Sequence, residues 1–78
     1  MGWKYDKKVD AAYIRLRDGV ERAYGQQLDD ARYVDIGVDG KPIGIELLGV
    51  SHGVDTRGLP QQAEVEKLLA EHNVRIFA

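Results

Sequence analysis

Three stretches of the chain alternate between apolar and polar residues. In residues 12–17, 33–38 and 43–48 every second residue is apolar, which is the pattern of a strand with one buried face. Residues 3–5 predict a further short, aromatic strand, and residues 20–28, which alternate poorly, predict an irregular or bulged one. The residues predicted to face the core are Ala12, Ile14, Leu16, Val34, Ile36, Val38, Ile43, Ile45 and Leu47.

Two Asp-Gly pairs separate these strands. Asp18-Gly19 follows the first alternating stretch, and Asp39-Gly40 follows the second. A type I′ turn needs positive φ at both central residues, which Asp and Gly adopt at low cost. Both pairs therefore predict tight hairpins, with Pro42 at the start of the last strand.

The last third of the chain predicts one helix. Residues 50–59 are polar and contain glycine, so they predict a connector, and Pro60 suits a first helical turn. Asn73 suits a left-handed cap at the other end. The tail, residues 74–77, is predicted either to add a short strand or to pack against the rest. The stripe expected to face the sheet consists of Val65, Leu68, Leu69 and His72.

These elements predict one α+β domain over residues 1–78. We expect an antiparallel β-meander of about five strands within residues 3–50, with one C-terminal helix at about residues 60–72 packed on one face.

The composition excludes several classes of site. The 78 residues include no cysteine and two histidines, which rules out disulfides, thiol nucleophiles and Cys-type zinc sites. A net charge of −2 disfavours binding to nucleic acid or an anionic membrane. No apolar run approaches the ~18 residues that span a bilayer, and the start lacks the apolar centre of a signal peptide. We therefore expect a cytoplasmic protein.

Few residues are candidates for catalysis or metal binding. Asp6 and Asp10 could form a carboxylate pair for acid/base or metal work, but hydrogen bonds within the turn are the favoured explanation of aspartates there. The acidic run Asp29, Asp30, Asp35 and Asp39 lacks the spacing of a calcium loop and predicts a solvated face. Ser51, His52 and Asp55 suggest a triad only by their types. We expect no cofactor, no catalysis, and no metal at His52 or His72. A protonated His72 suits the negative end of the helix dipole.

The sheet face opposite the helix is the more informative surface. It should carry Tyr13, Arg15, Arg17, Tyr33 and Leu48, with Tyr5 as a possible addition. Tyrosine and arginine are enriched at protein interfaces, although one solvated face is ordinary for an antiparallel sheet. The alternatives for self-association are the strand edges at residues 3–5 and 76–77.

Two longer stretches resemble a known family. Residues 5–16, and then residues 28–30, 34–35 and 39–48 followed by Ser51, are similar to the domain-of-unknown-function 2283 family of small prokaryotic proteins. The sequence departs from the family pattern at residues 23–27, where members usually carry a threonine and an acidic residue. It also departs at Gly37, where an acidic residue is common. The resemblance implies the fold class and supplies no catalytic residue.

Two hypotheses of function follow. The first is a protein-interaction module, either a homodimer or an antitoxin-like partner of a small toxin, because the chain is small and its tyrosines and arginines share one sheet face. The second is a small-ligand binder or an enzyme that uses Asp6 and Asp10 or the Ser51-His52-Asp55 loop, which would need a concave pocket.

Overall fold

The computed structural model describes residues 1–77. Five antiparallel strands form one sheet in the order β1-β2-β5-β4-β3. A short 3-10 helix (Val50–His52) follows the sheet. The strands β6 and β7, which precede and follow the helix α1 in sequence, pair in parallel. The strands are β1 (Gly2–Asp6), β2 (Ala11–Arg15), β3 (Arg22–Asp29), β4 (Arg32–Gly37), β5 (Pro42–Leu48), β6 (Val54–Asp55) and β7 (Ile76–Phe77), and the helix α1 is Gln62–Glu71.

The α+β class, the five antiparallel strands and the C-terminal helix are confirmed. The strand order differs from a simple meander at one place, because β2 pairs with β5 and not with β3. The hairpin predicted at Asp18-Gly19 is therefore wrong. Gly19 does have positive φ, at 78°, but it bends a connection that crosses to the far edge of the sheet. The strand β5 is central as a result.

The hairpin between β4 and β5 is confirmed, with a different turn from the one expected. Gly40 N–H donates to the Gly37 carbonyl at 2.9 Å, and Gly37 N–H donates to the Lys41 carbonyl at 2.8 Å. Gly40 has φ 80°, whereas Asp39 is not among the residues with positive φ. These contacts define a three-residue loop whose last residue is left-handed. The extra residue leaves Val38 65% exposed, so its predicted inward position is wrong.

The core lies between the helix and one part of the sheet. Val65 and Leu69 of α1 pack with Ile14 of β2 and Ile45 of β5, and all four are fully buried. Val34, Ile36 and Ile43 are buried as predicted, whereas Leu16 and Leu68 are only half-buried. The remaining members of this core are Ala12, Leu47, Val50, Val54 and Leu59, with Trp3, Val74 and Ile76 packed at its margin.

The helix begins two residues after Pro60 and ends at Glu71, inside the predicted range. Asn73 has φ 59°, as its predicted cap role requires. Its N–H donates to the Ala70 carbonyl and the Val74 N–H donates to the Leu69 carbonyl, which is the Schellman pattern of helix ends. This turn directs the tail back to pair with β6 as a short parallel strand. Among residues 1–77, no helix has the length and apolar character needed to cross a membrane.

The strand β3 differs from the rest of the sheet. It forms one edge, pairs only with β4, and contains two register shifts. The register shifts confirm the irregular strand predicted there. All eight of its residues are exposed. The core cluster around α1 includes no residue of β3 or β4, so α1 does not pack on this end of the sheet, although Val34 and Ile36 of β4 are buried by other contacts.

Candidate functional site

Asp10 joins two distant parts of the chain. Its carboxylate accepts hydrogen bonds from the Tyr5 hydroxyl at 2.6 Å, from the Ser51 hydroxyl at 2.6 Å and from the Ser51 N–H at 3.0 Å. Ser51 lies 41 residues after Asp10 in sequence. Asp10 also has φ 53°, an uncommon backbone conformation for a residue with a side chain. The first and last residues of the resemblance thus meet in one cluster.

The chemistry of this cluster favours structure over catalysis. The hydroxyls of Ser51 and then Tyr5 hold the pKa of the Asp10 carboxyl below its usual range. The hydrogen bond to Asp10 raises the pKa of the Tyr5 phenol. A carboxylate with a lowered pKa is a weak base, and the Ser51 proton is already directed at it. The cluster is therefore suited to holding the β1–β2 turn against the 3-10 helix.

Asp6 and Asp55, which belong to the alternative of a ligand site or an enzyme, make other contacts. Asp6 accepts the Lys8 N–H at 2.9 Å, which is ordinary turn chemistry. Asp55 pairs with the Arg57 guanidinium through two hydrogen bonds, at 2.8 and 3.0 Å. Because Ser51 donates to Asp10, the loop has no relay from serine through His52 to Asp55.

A groove of about 620 Å³ lies at the C-terminal end of α1. His72, which the sequence placed on the helix stripe, is exposed and stacks on Trp3 with ring centroids 4.6 Å apart. Sequence reasoning missed this contact, since only the sheet register brings β1 beside the end of the helix. The groove is lined by Trp3, Tyr5, Ser51, His52, His72 and Arg75, among others.

The open face of the sheet, opposite α1, carries a polar network. The Tyr13 hydroxyl donates to Asp35 at 3.1 Å, and the Arg22 guanidinium donates to the same carboxylate at 3.0 Å. Tyr13 lies over Gly44, where an added Cβ would come within 1.8 Å of its hydroxyl oxygen. A glycine in β5 therefore lets the Tyr13 side chain of β2 reach β4.

The other predicted interface residues have different surroundings. Arg17 makes a two-pronged ion pair with Asp39, at 2.9 and 3.0 Å, which lowers the pKa of that carboxyl to about 2. Tyr33 is half-buried, and Arg15 and Leu48 are exposed. Tyr5, considered for this face, lies on the helix side, opposite Ala12 in the sheet register.

Arg32 was not singled out from the sequence, yet it connects three segments. Its guanidinium donates to Asp29 at 2.8 Å, to the Asp55 carbonyl at 3.1 Å and to the Arg57 carbonyl. The contacts join β4 to β6 and to the segment that precedes α1. A second groove, of about 470 Å³, runs beside it and is lined in part by Asp30 and Phe77.

Asp29, Asp35 and Asp39 of the acidic run each form an ion pair with an arginine. Asp29 pairs with Arg32, Asp35 with Arg22, and Asp39 with Arg17. Within residues 1–77, no three histidine or carboxylate side chains cluster in a way that could hold a metal ion. The expectation that His52 and His72 bind no metal stays a prediction.

We expect acid to destabilise the protein. The carboxyls of Asp10, Asp29, Asp39, Asp55 and Glu66 all have lowered pKa values, because their charged forms accept hydrogen bonds. A carboxyl whose pKa is lower in the folded than in the unfolded chain stabilises the fold above its unfolded value, and this stabilisation is lost as pH falls through the folded value. The free energy of unfolding should therefore fall between about pH 4 and pH 2, as measured by urea titration. Asp39→Asn should show a smaller fall, and a stability that is flat or rising over this range would contradict the assignment.

Comparison with known proteins supports the resemblance. A family with the description "Protein of unknown function (DUF2283)" matches residues 3–51. No curated protein and no solved structure matches the chain significantly. The matched range contains β1 without its first residue, all of β2 to β5, and all three residues of the Asp10 cluster. Since it covers more than half of the 78 residues, the chain belongs to the DUF2283 family of proteins of unknown function.

Proposed function

We propose that the protein acts by binding another protein chain along the free edge of β3. The observation that supports this is the exposure of all eight β3 residues at the end of the sheet that α1 leaves uncovered. An edge strand presents unpaired N–H and C=O groups, and an added strand from a partner satisfies them. Tyr24 and Leu28 supply exposed apolar side chains on the same strand.

The state of the polar side chains also favours binding over catalysis. Ser51 and Tyr5 both donate to Asp10, while Asp55 and Asp39 are paired with arginines. Groups that are already hydrogen-bonded to one another stabilise a fold, and they have little capacity left for a substrate. We therefore assign no enzymatic activity.

The open face is the second candidate for contact. Of the residues predicted for it, Arg15, Tyr13 and Arg17 already have partners within the chain, in Asp18, Asp35 and Asp39, and Leu48 is the exposed apolar one. Satisfied side chains contribute less to a new interface than free ones. The β3 edge is preferred for this reason. An edge strand could pair with a second copy of this chain. It could also pair with a different small protein, as an antitoxin-like role in a prokaryotic cytoplasm requires.

Site-specific photo-crosslinking tests the proposal. A benzophenone amino acid replaces Gln27 of β3, Leu48 of the open face or Glu64 on the exposed side of α1, one at a time, in cells of the native host. We expect a covalent protein adduct from position 27 and little from positions 48 and 64. An adduct mainly from position 48 would favour the open face. Absence of any protein adduct from position 27 would contradict the proposal.

A further inference from the structure

Resting on this proposed function, we infer that the chain which pairs with β3 is a second copy of the protein. Two copies of one edge strand pair antiparallel around a two-fold axis perpendicular to the sheet. Residues that oppose each other must then point to the same face of the joined sheet. This condition allows only registers in which a residue of β3 lies opposite itself, and there are few of these.

Among these registers, one gives good side-chain pairs. With Gln26 opposite itself, Tyr24 of each copy lies opposite Leu28 of the other, so two aromatic–aliphatic pairs form on the helix-bearing face. With Gly25 opposite itself, the centre has no side chains to pack. With Gln27 opposite itself, Tyr24 would face the carboxylate of Asp30. Of these three central registers, the sequence of β3 favours the one centred on Gln26.

The charges of the strand suit the same arrangement. Within β3, Arg22 is the first residue and Asp29 the last, and Glu21 lies before the strand. In the antiparallel register centred on Gln26, Arg22 of each copy lies opposite Asp30 of the other. Like charges would meet instead if the strands paired in parallel.

The bulges limit how far the pairing extends. Register shifts lie between Arg22 and Tyr24 and between Gln27 and Asp29, so the regular part of β3 is Tyr24–Gln27. The joined edge is therefore short, and a Tyr24–Leu28 pair would lie at each of its two ends, with Leu28 in the bulge. The two helices would lie at opposite ends of one continuous sheet, since each covers the part away from β3.

Sedimentation equilibrium of the purified chain tests this inference with a matched pair of variants. Leu28 on β3 and Leu48 on the open face are 38% and 37% exposed, so lysine should cost either position little in folding. We expect the wild type to form a dimer, Leu28→Lys to weaken it by about tenfold or more, and Leu48→Lys to leave it unchanged. A monomeric wild type, or a dimer weakened only by Leu48→Lys, would overturn the inference.

Cysteine crosslinking tests the register independently, since the chain contains no cysteine of its own. Gln26→Cys places two thiols opposite each other, within the distance that a disulfide spans. Gln27→Cys lies on the other face, opposite Gly25 of the partner in this register. We expect a disulfide-linked dimer from the first variant at a rate about tenfold above the second, because only directly opposed pairs have suitable geometry. Equal rates, or a faster Gln27→Cys reaction, would refute the register.

The two proposals fail in different ways. A monomer in sedimentation together with a foreign protein crosslinked at position 27 would overturn the second copy as the occupant and retain β3 as the binding edge. A monomer with no adduct at that position would overturn both proposals.

Discussion

Replacing Ile45 with alanine is expected to lower the free energy of unfolding by about 2–5 kcal/mol, the range for truncating a buried isoleucine. Ile45 is 0% exposed and lies at the centre of β5, between Ile14 of β2 and Val34 of β4 in the register. A core of this size supplies only ~3–5 kcal/mol in total, so the variant should lose most of its stability and unfold at a much lower urea concentration than the wild type. Urea unfolding followed by the fluorescence of Trp3, the one tryptophan of the chain, measures the change.

Two variants provide the controls. Ile45→Val removes one methylene and should cost only about 0.5–1.5 kcal/mol. Leu48→Ala changes the same strand on its exposed face and should cost less than about 1 kcal/mol, because little apolar area is lost there. If Ile45→Ala and Leu48→Ala unfolded at the same urea concentration, β5 would not be the central strand of the core.

The strands β2, β4 and β5 were predictable because one face of each is buried. Alternation at Ile14, Val34 and Ile45 shows which side is apolar, and that property is local to each strand. The order of strands is not local. An Asp-Gly pair adopts a positive φ equally well in a hairpin and in a crossing connection, so Asp18-Gly19 could not show that the chain passes to the far edge.

The exposure of the strands contained a further signal. The chain buries three consecutive residues of β5, Ile43, Gly44 and Ile45, as a central strand does, whereas β3 alternates poorly and is exposed throughout. Poor alternation predicts an irregular strand. It also indicates an edge strand at the end of a sheet that no helix covers.

The candidate site was predictable only in its parts. The resemblance identified Tyr5, Asp10 and Ser51, but their hydrogen bonds span 41 residues and depend on where the 3-10 helix places Ser51. Asp55 is near Ser51 in sequence, but its carboxylate pairs with Arg57, and Ser51 donates to Asp10 instead. Proximity in sequence between Ser51 and Asp55 therefore did not indicate the partner of either side chain.

The second large effect is expected at Gly44, where the open face is most tightly packed. An added Cβ would lie 1.8 Å from the Tyr13 hydroxyl oxygen and 2.3 Å from the ring carbon that bears it. In Gly44→Ala the ring must therefore move away, and its hydrogen bond to Asp35 is lost with it. We expect a loss of about 1–3 kcal/mol in the free energy of unfolding, as for other overpacked sites.

A double-variant cycle separates this clash from other costs of changing Gly44. In a Tyr13→Ala background the obstacle is gone, and alanine in a strand is about 0.5–1 kcal/mol more favourable than glycine. Gly44→Ala should therefore destabilise the wild type and be neutral or slightly stabilising beside Tyr13→Ala, a coupling that urea unfolding of the four proteins measures. Additive costs would contradict the packing of Tyr13 over Gly44. The coupling would show that this glycine is required so that one tyrosine can link three neighbouring strands.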